Sequence, residues 1–189
     1  MNRPAGWIAV TIIALLLMVF ATVRAFALSP ARPIPLPPHN EISYTDGDLN
    51  MIANVVNGEV GGITGSVWIT YADGSTVEAD ACLLHQIHAR VVDNQVRHDL
   101  FPSTVRSCVR QYWSKGYSGT GWRTSAQWQH CRQDALWALY GFVDVPDNVL
   151  AATCDPYFAS RYTAFSLWAK ARWDTGGVSG TFYYYQYGG

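Results

Sequence analysis

The chain has 189 residues, of which 49 % are hydrophobic and 14 % charged, with a formal net charge of −1. That length supports one buried core once an N-terminal segment is set aside. The near-neutral balance supplies neither the basic patch that nucleic acid would need nor an acidic tail, so nucleic acid is excluded as a partner.

Arg3 precedes an uncharged apolar run over residues 7–23, and Ala25-Phe26-Ala27 follows as an A-x-A-like cleavage site. Residues 1–28 read as an export signal, either cleaved after Ala27 or kept as a membrane anchor, because 17 apolar residues suit both. The rest of the chain is then extracytoplasmic. Residues 29–42 are proline-rich; proline locks φ and removes N–H donors, which predicts an extended polyproline-II spacer. The folded domain is expected over residues 43–189. Its cysteines, Cys82, Cys108, Cys131 and Cys154, are even in number, and an oxidising compartment favours two disulfides. Three connectivities are open. Pairing of neighbouring segments, Cys82 with Cys108 and Cys131 with Cys154, is the expectation. No CxxC pair occurs, so a structural zinc site is not indicated.

Leu49, Ile52, Ala53, Val56 and Val60 fall at the i, i+3, i+4 spacing of one helix face, with Asp46 or Asp48 as the cap and Gly61-Gly62 as a left-handed stop. Asp73-Gly74 marks a hairpin turn between two β-rich runs, read as a small two-stranded flap. Leu83, Leu84, Ile87 and Val91 predict a second helix over residues 80–95. A short helix enters at Phe101-Pro102-Ser103-Thr104 and runs to about Tyr112. Residues 113–124 form a glycine-rich aromatic loop, and Ser125 caps a further helix that ends at Gly141. Short extended pieces follow, closing on the aromatic run 180–189, which suits a strand.

Glu59 falls seven residues after Ile52 and three after Val56, on the apolar face and in the last helical turn. Burial disfavours a charged carboxylate, and the partial negative charge of a helix C-terminus disfavours it by roughly a further 0.3–1 kcal/mol. Both effects favour the protonated carboxyl that a general acid must hold near neutral pH. The structural alternative is an ion pair with an arginine such as Arg90 or Arg123.

A helix ending in Gly58-Glu59 and a glycine-rich turn, a second helix carrying Arg90-Val91, then Phe101-Pro102-x-Thr104-Val105, a loop with Tyr117-Ser118, a helix ending at Gly141 and the stretch 145–160 together resemble the SleB-like cell wall hydrolases over residues 48–188. This chain has Ala89-Arg90-Val91 where that family usually has Asn-Arg-Val, Gly116-Tyr117-Ser118 where it has Gln-Phe-Ser, and Phe182 where it often has histidine. Residues 67–77 look like an insertion. The resemblance implies a mainly α (α+β) fold: a small lysozyme-like helical domain with a short β-hairpin insertion and a C-terminal aromatic strand. It further implies cleavage of peptidoglycan glycan strands with Glu59 as the catalytic acid, Arg90, Tyr117 and Ser118 as substrate contacts, and no metal or other cofactor.

Glycosidases commonly use two carboxyl groups, but Glu78 and Asp80 start the second helix, where a carboxylate is favoured for structural reasons. A single acid suffices in the family's transglycosylase chemistry, where the glutamate protonates the glycosidic oxygen and then takes the proton of the muramic acid 6-hydroxyl. Sugars also need aromatic faces. Trp113, Tyr117, Trp122, Tyr183, Tyr184 and Tyr185 are the candidates, with Tyr117 foremost. A monomer bound to peptidoglycan, and to the membrane through its N-terminus if that is uncleaved, is the expectation. Two other classes compete: a non-catalytic wall-binding module, which does not require Glu59, and a cysteine or metal peptidase built on His85, His88, His98, His130 and the cysteines.

Overall fold

The computed structural model describes residues 44–113 and 125–188; the expected leader, the proline spacer, Tyr117, Ser118, Trp122 and Arg123 lie outside them. Helix α1 spans Asp46–Glu59. Its cap is Thr45, not an aspartate: Thr45 Oγ1 accepts from the Asp48 N–H at 3.2 Å, and the Asp48 carboxylate accepts in return from the Thr45 N–H at 2.9 Å. This capping box satisfies two of the N–H groups that a helix start leaves bare. The stop also differs from expectation. Gly61 is absent from the left-handed glycines; its lack of a side chain matters because a Cβ there would lie 2.7 Å from the Asn57 Cα.

Strands β1 (Ser66–Tyr71) and β2 (Thr76–Asp80) flank the expected turn, with Gly74 at φ +86° and Asp73 Oδ1 accepting from the Ser75 N–H at 2.8 Å. Helix α2 (Ala81–Arg97) is capped by Asp80, α3 (Val105–Tyr112) by Thr104 and α4 (Ala126–Leu139) by Ser125. Strand β3 (Val149–Thr153), the single turn α5 (Phe158–Arg161), β4 (Phe165–Thr175) and β5 (Val178–Tyr187) complete the described chain.

The protein is thus mixed α+β. The hairpin expected as a detached flap is the edge of a five-stranded antiparallel sheet in the order β2-β1-β4-β5-β3. Val67 pairs with Trp173 and Tyr71 with Ala169, so β1 docks on a strand roughly a hundred residues later. Period-two alternation then sorts the sheet's faces. Val67, Ile69, Ala169, Ala171, Phe182 and Tyr184 are buried on the side covered by helices, where the His88 ring of α2 meets Phe182 and Tyr184 edge-on. Trp68, Thr70, Lys170, Arg172, Thr181 and Tyr183 occupy the other face.

Helices α1, α2 and α4 pack on one another. The Trp128 Nε1–H donates to Asn54 Oδ1 at 3.1 Å, and Arg132 reaches Asn50 and Asp46, which sets α4 antiparallel to α1. At the far end of the α1–α2 pair, the fully buried Asp93 accepts from the Tyr44 hydroxyl, from Arg90 and, at 2.8 Å, from Arg97 Nε. Burial and the Asp93 carboxylate push the Tyr44 phenol far up.

The structure draws no bridge between Cys82, Cys108 and Cys131, and the expected pairing of Cys82 with Cys108 does not fit the fold. Cys108 Sγ lies 3.4 Å from Gln95 Oε1. Cys82 is in the first turn of the same 17-residue helix that carries Gln95 near its end, roughly 20 Å away along the axis, and a bridge needs Cα atoms within about 7 Å. Burial pushes the Cys108 and Cys131 thiols up to about 12, and does the same at Cys82 with help from Asp80 and Asp134.

Candidate functional site

The last turn of α1 is clamped from two sides. From α4, the Gln127 amide donates to Asn57 Oδ1 at 3.0 Å, one turn below the buried Asn54–Trp128 bond. From α2, His85 places Nε2 3.2 Å from the Val60 carbonyl and Nδ1 2.8 Å from Asp134 Oδ2. Through these two contacts one imidazole ties the end of α1 to the buried Asp134 of α4. The Val60 carbonyl also accepts from the Ile63 N–H at 2.9 Å, which fixes the chain where it leaves the helix.

Glu59 sits at this clamped end. Its side chain is half-buried and has no hydrogen bond or ion pair among the described residues, whereas its neighbours on either side are tied down. Of the two arginines expected as possible structural partners, Arg123 lies outside the described residues, and Arg90 is held elsewhere, by Asp93 and, at 2.9 Å, by Asp147. Arg90 is therefore an ion-cluster residue at the opposite end of the helix pair, not a neighbour of Glu59. Nor do the other acids pair with it as a second catalytic carboxyl. Asp80 accepts from the Cys82 N–H, which holds its carboxyl below the usual range, Asp134 is spent on His85, and Glu78 stands opposite Trp68 on the exposed sheet edge.

The aromatic candidates separate. Tyr184 is fully buried, with its hydroxyl 2.8 Å from His88 Nδ1, and presents no surface to a ligand. Tyr185 is buried with its hydroxyl on the Asp155 and Pro156 carbonyls. Trp113 is buried and donates to Gln95 Oε1 at 2.7 Å, lining an aromatic cavity of about 320 Å³ with Phe101, Phe158 and Phe165. Tyr183 lies on the outer sheet face, in a separate groove. Of the candidates read from the sequence, Glu59 alone lies at this helix end among the described residues, while Tyr117 and Ser118 fall outside them.

Asn57, Gln127 and Asp134 were missed in the sequence. For nucleophilic chemistry the site is poorly equipped: both His85 nitrogens are engaged, burial holds His88 down at about 3 and thus neutral, and the Cys82 thiol is held protonated. Among the described residues no three metal-capable side chains converge. Comparison with protein-family models, with curated proteins and with solved structures finds no match.

Proposed function

We propose that residues 43–189 cleave the glycan strands of peptidoglycan in a lysozyme-like manner, with Glu59 as the one acid and base. The observation that carries this reading is a half-buried carboxyl at a rigid helix end that has no partner among the described residues. A buried or half-buried acid without a structural partner is costly to keep. In the reaction, Glu59 gives its proton to the glycosidic oxygen as the C1–O bond breaks. The muramic acid 6-hydroxyl then attacks C1 and returns its proton to Glu59, closing a 1,6-anhydro ring; attack by water instead leaves a reducing end. The apolar run over residues 7–23 supports an extracytoplasmic protein, secreted or membrane-anchored, and a monomer is sufficient for one-acid chemistry.

Incubation of purified peptidoglycan with the full-length protein, followed by mass analysis, tests the proposal. Anhydro or reducing muramic ends are expected from the wild type, and Glu59→Gln is expected to lower their rate by about 10²–10⁴-fold, the usual contribution of general acid catalysis. Equal turnover by Glu59→Gln removes Glu59 from the mechanism, and freed peptides without cut glycan replace the reading with a peptidase.

A further inference from the structure

The outer face of the sheet is a candidate binding surface separate from Glu59, which does not line it. Strand register sets its side chains in two rows. One runs Trp68, Arg172, Thr181; the next runs Thr70, Lys170, Tyr183. Between them lies a groove of about 510 Å³. Lys170 and Arg172 project from the central strand on the same face, roughly 7 Å apart along it. Neither has an ion-pair partner among the described residues, although Asp174 also lines the groove.

Three features define what this groove recognises. Lys170 and Arg172 repel each other at this spacing; Asp174, two residues beyond Arg172, and Glu78, opposite Trp68, offset part of that repulsion without forming an ion pair to either cation among the described residues, and an anion bound between the two cations relieves the rest. Trp68 is 38 % exposed although it stands mid-strand, so an indole face is left open on one side, with the Tyr183 ring on the other. Thr70, beside Trp68 on β1, and Thr181, beside Tyr183 on β5, add hydroxyls to the same face, and Thr70 Oγ1 accepts from the Thr76 hydroxyl at 3.1 Å. Rings that stack on C–H faces, hydroxyls, and cations for carboxylates are the complement of a sugar chain bearing acid groups. Nucleic acid would present phosphates on every residue and call for a larger basic field than two cations.

We propose that this groove binds an acidic glycan, the carboxylate seated between Lys170 and Arg172 and a sugar ring on Trp68. The site does not depend on cleavage at Glu59. Calorimetric titration of the full-length protein in detergent tests it, using a hyaluronan hexasaccharide, which carries a carboxylate on alternate sugars, against a neutral chitin hexasaccharide of equal length. The expected result is at least tenfold tighter binding of the acidic chain. Double substitution K170M/R172M removes that preference without moving the thermal melt, Trp68→Ala weakens the acidic chain at least fivefold, and Glu59→Gln leaves its affinity unchanged. Equal affinity for the two oligosaccharides, or an unchanged preference in K170M/R172M, overturns the proposal. Full retention of binding by Trp68→Ala shows that the groove takes an anion without a sugar face and likewise overturns it. If Glu59→Gln loses affinity, the glycan sits at the helix end instead and the groove is not its site.

Discussion

Asp93 and Glu59 are acids on neighbouring antiparallel helices, one at each end of the pair, and the protein treats them in opposite ways. Asp93 is completely buried and surrounded by three donors from Tyr44, Arg90 and Arg97. Glu59 is half-buried with no partner among the described residues. A buried charge is tolerable only when its hydrogen bonds are all supplied, so Asp93 is explained by the fold that encloses it. Among the described residues Glu59 has no such explanation. The contrast separates a carboxylate that the fold accounts for from one that no contact among the described residues accounts for.

The comparison breaks most visibly at Asp93. Asp93→Ala leaves Arg90 and Arg97 without their shared acceptor in a dry site, and a loss of about 3–5 kcal/mol is expected, read from the urea midpoint. A loss under about 1 kcal/mol would mean that the cluster is solvated and that the contrast with Glu59 is false.

His88 sharpens it, since it is a buried titratable group on α2 with no counter-charge among the described residues, and it stays neutral instead. Burial is the first cause of its fall to about 3, with the charge of His85 acting in the same direction and the Leu84 carbonyl opposing. Between about 6.5 and 3 the unfolded chain takes up this proton and the folded chain does not. Stability from this group is therefore complete above about pH 6.5 and is lost as pH falls, by up to about 1.4 kcal/mol per pH unit. Urea midpoints at pH 7, 5 and 4 should show a shallower fall in His88→Gln than in the wild type; parallel curves would contradict the neutral buried ring.

The smallest effect is expected at Glu59 itself. Glu59→Gln should change stability by less than about 0.5 kcal/mol, because no partner is removed. Destabilisation beyond about 2 kcal/mol would reveal a hidden structural contact and return Glu59 to the class of Asp93.

Much of the helical half was legible from local signals: apolar spacing in 49–60 and 83–91, and caps at Asp80, Thr104 and Ser125 all act within a few residues. The sheet was less so. The run 66–71 states that it is a strand but not that its partner is Phe165–Thr175, because pairing is decided by tertiary packing rather than propensity. A readable signal was passed over in Ala169-Lys170-Ala171-Arg172, whose strict alternation announces a strand with one buried and one cationic face. At the site, the position of Glu59 at a helix end followed from spacing, while the His85–Asp134 clamp joins two helices and has no local signature. An ion cluster and a ligand contact look alike in one dimension, so the pairing of Arg90 with Asp93 and Asp147 could not be read from the sequence, and cysteine number says nothing of the roughly 20 Å that a helix puts between Cys82 and the neighbourhood of Cys108.

The docking of β1 on β4 also has a cost in time. At about 5–20 residues per second on the ribosome, the roughly one hundred residues between them hold β1 without its neighbour for several seconds, with Val67 and Ile69 bare and one row of backbone groups unpaired. Such an edge invites pairing with another nascent copy. The chain must either remain unfolded until Thr175 is made or be kept from its neighbours meanwhile, and a fragment stopped before Phe165 is expected to sediment as aggregates where the whole domain stays dispersed.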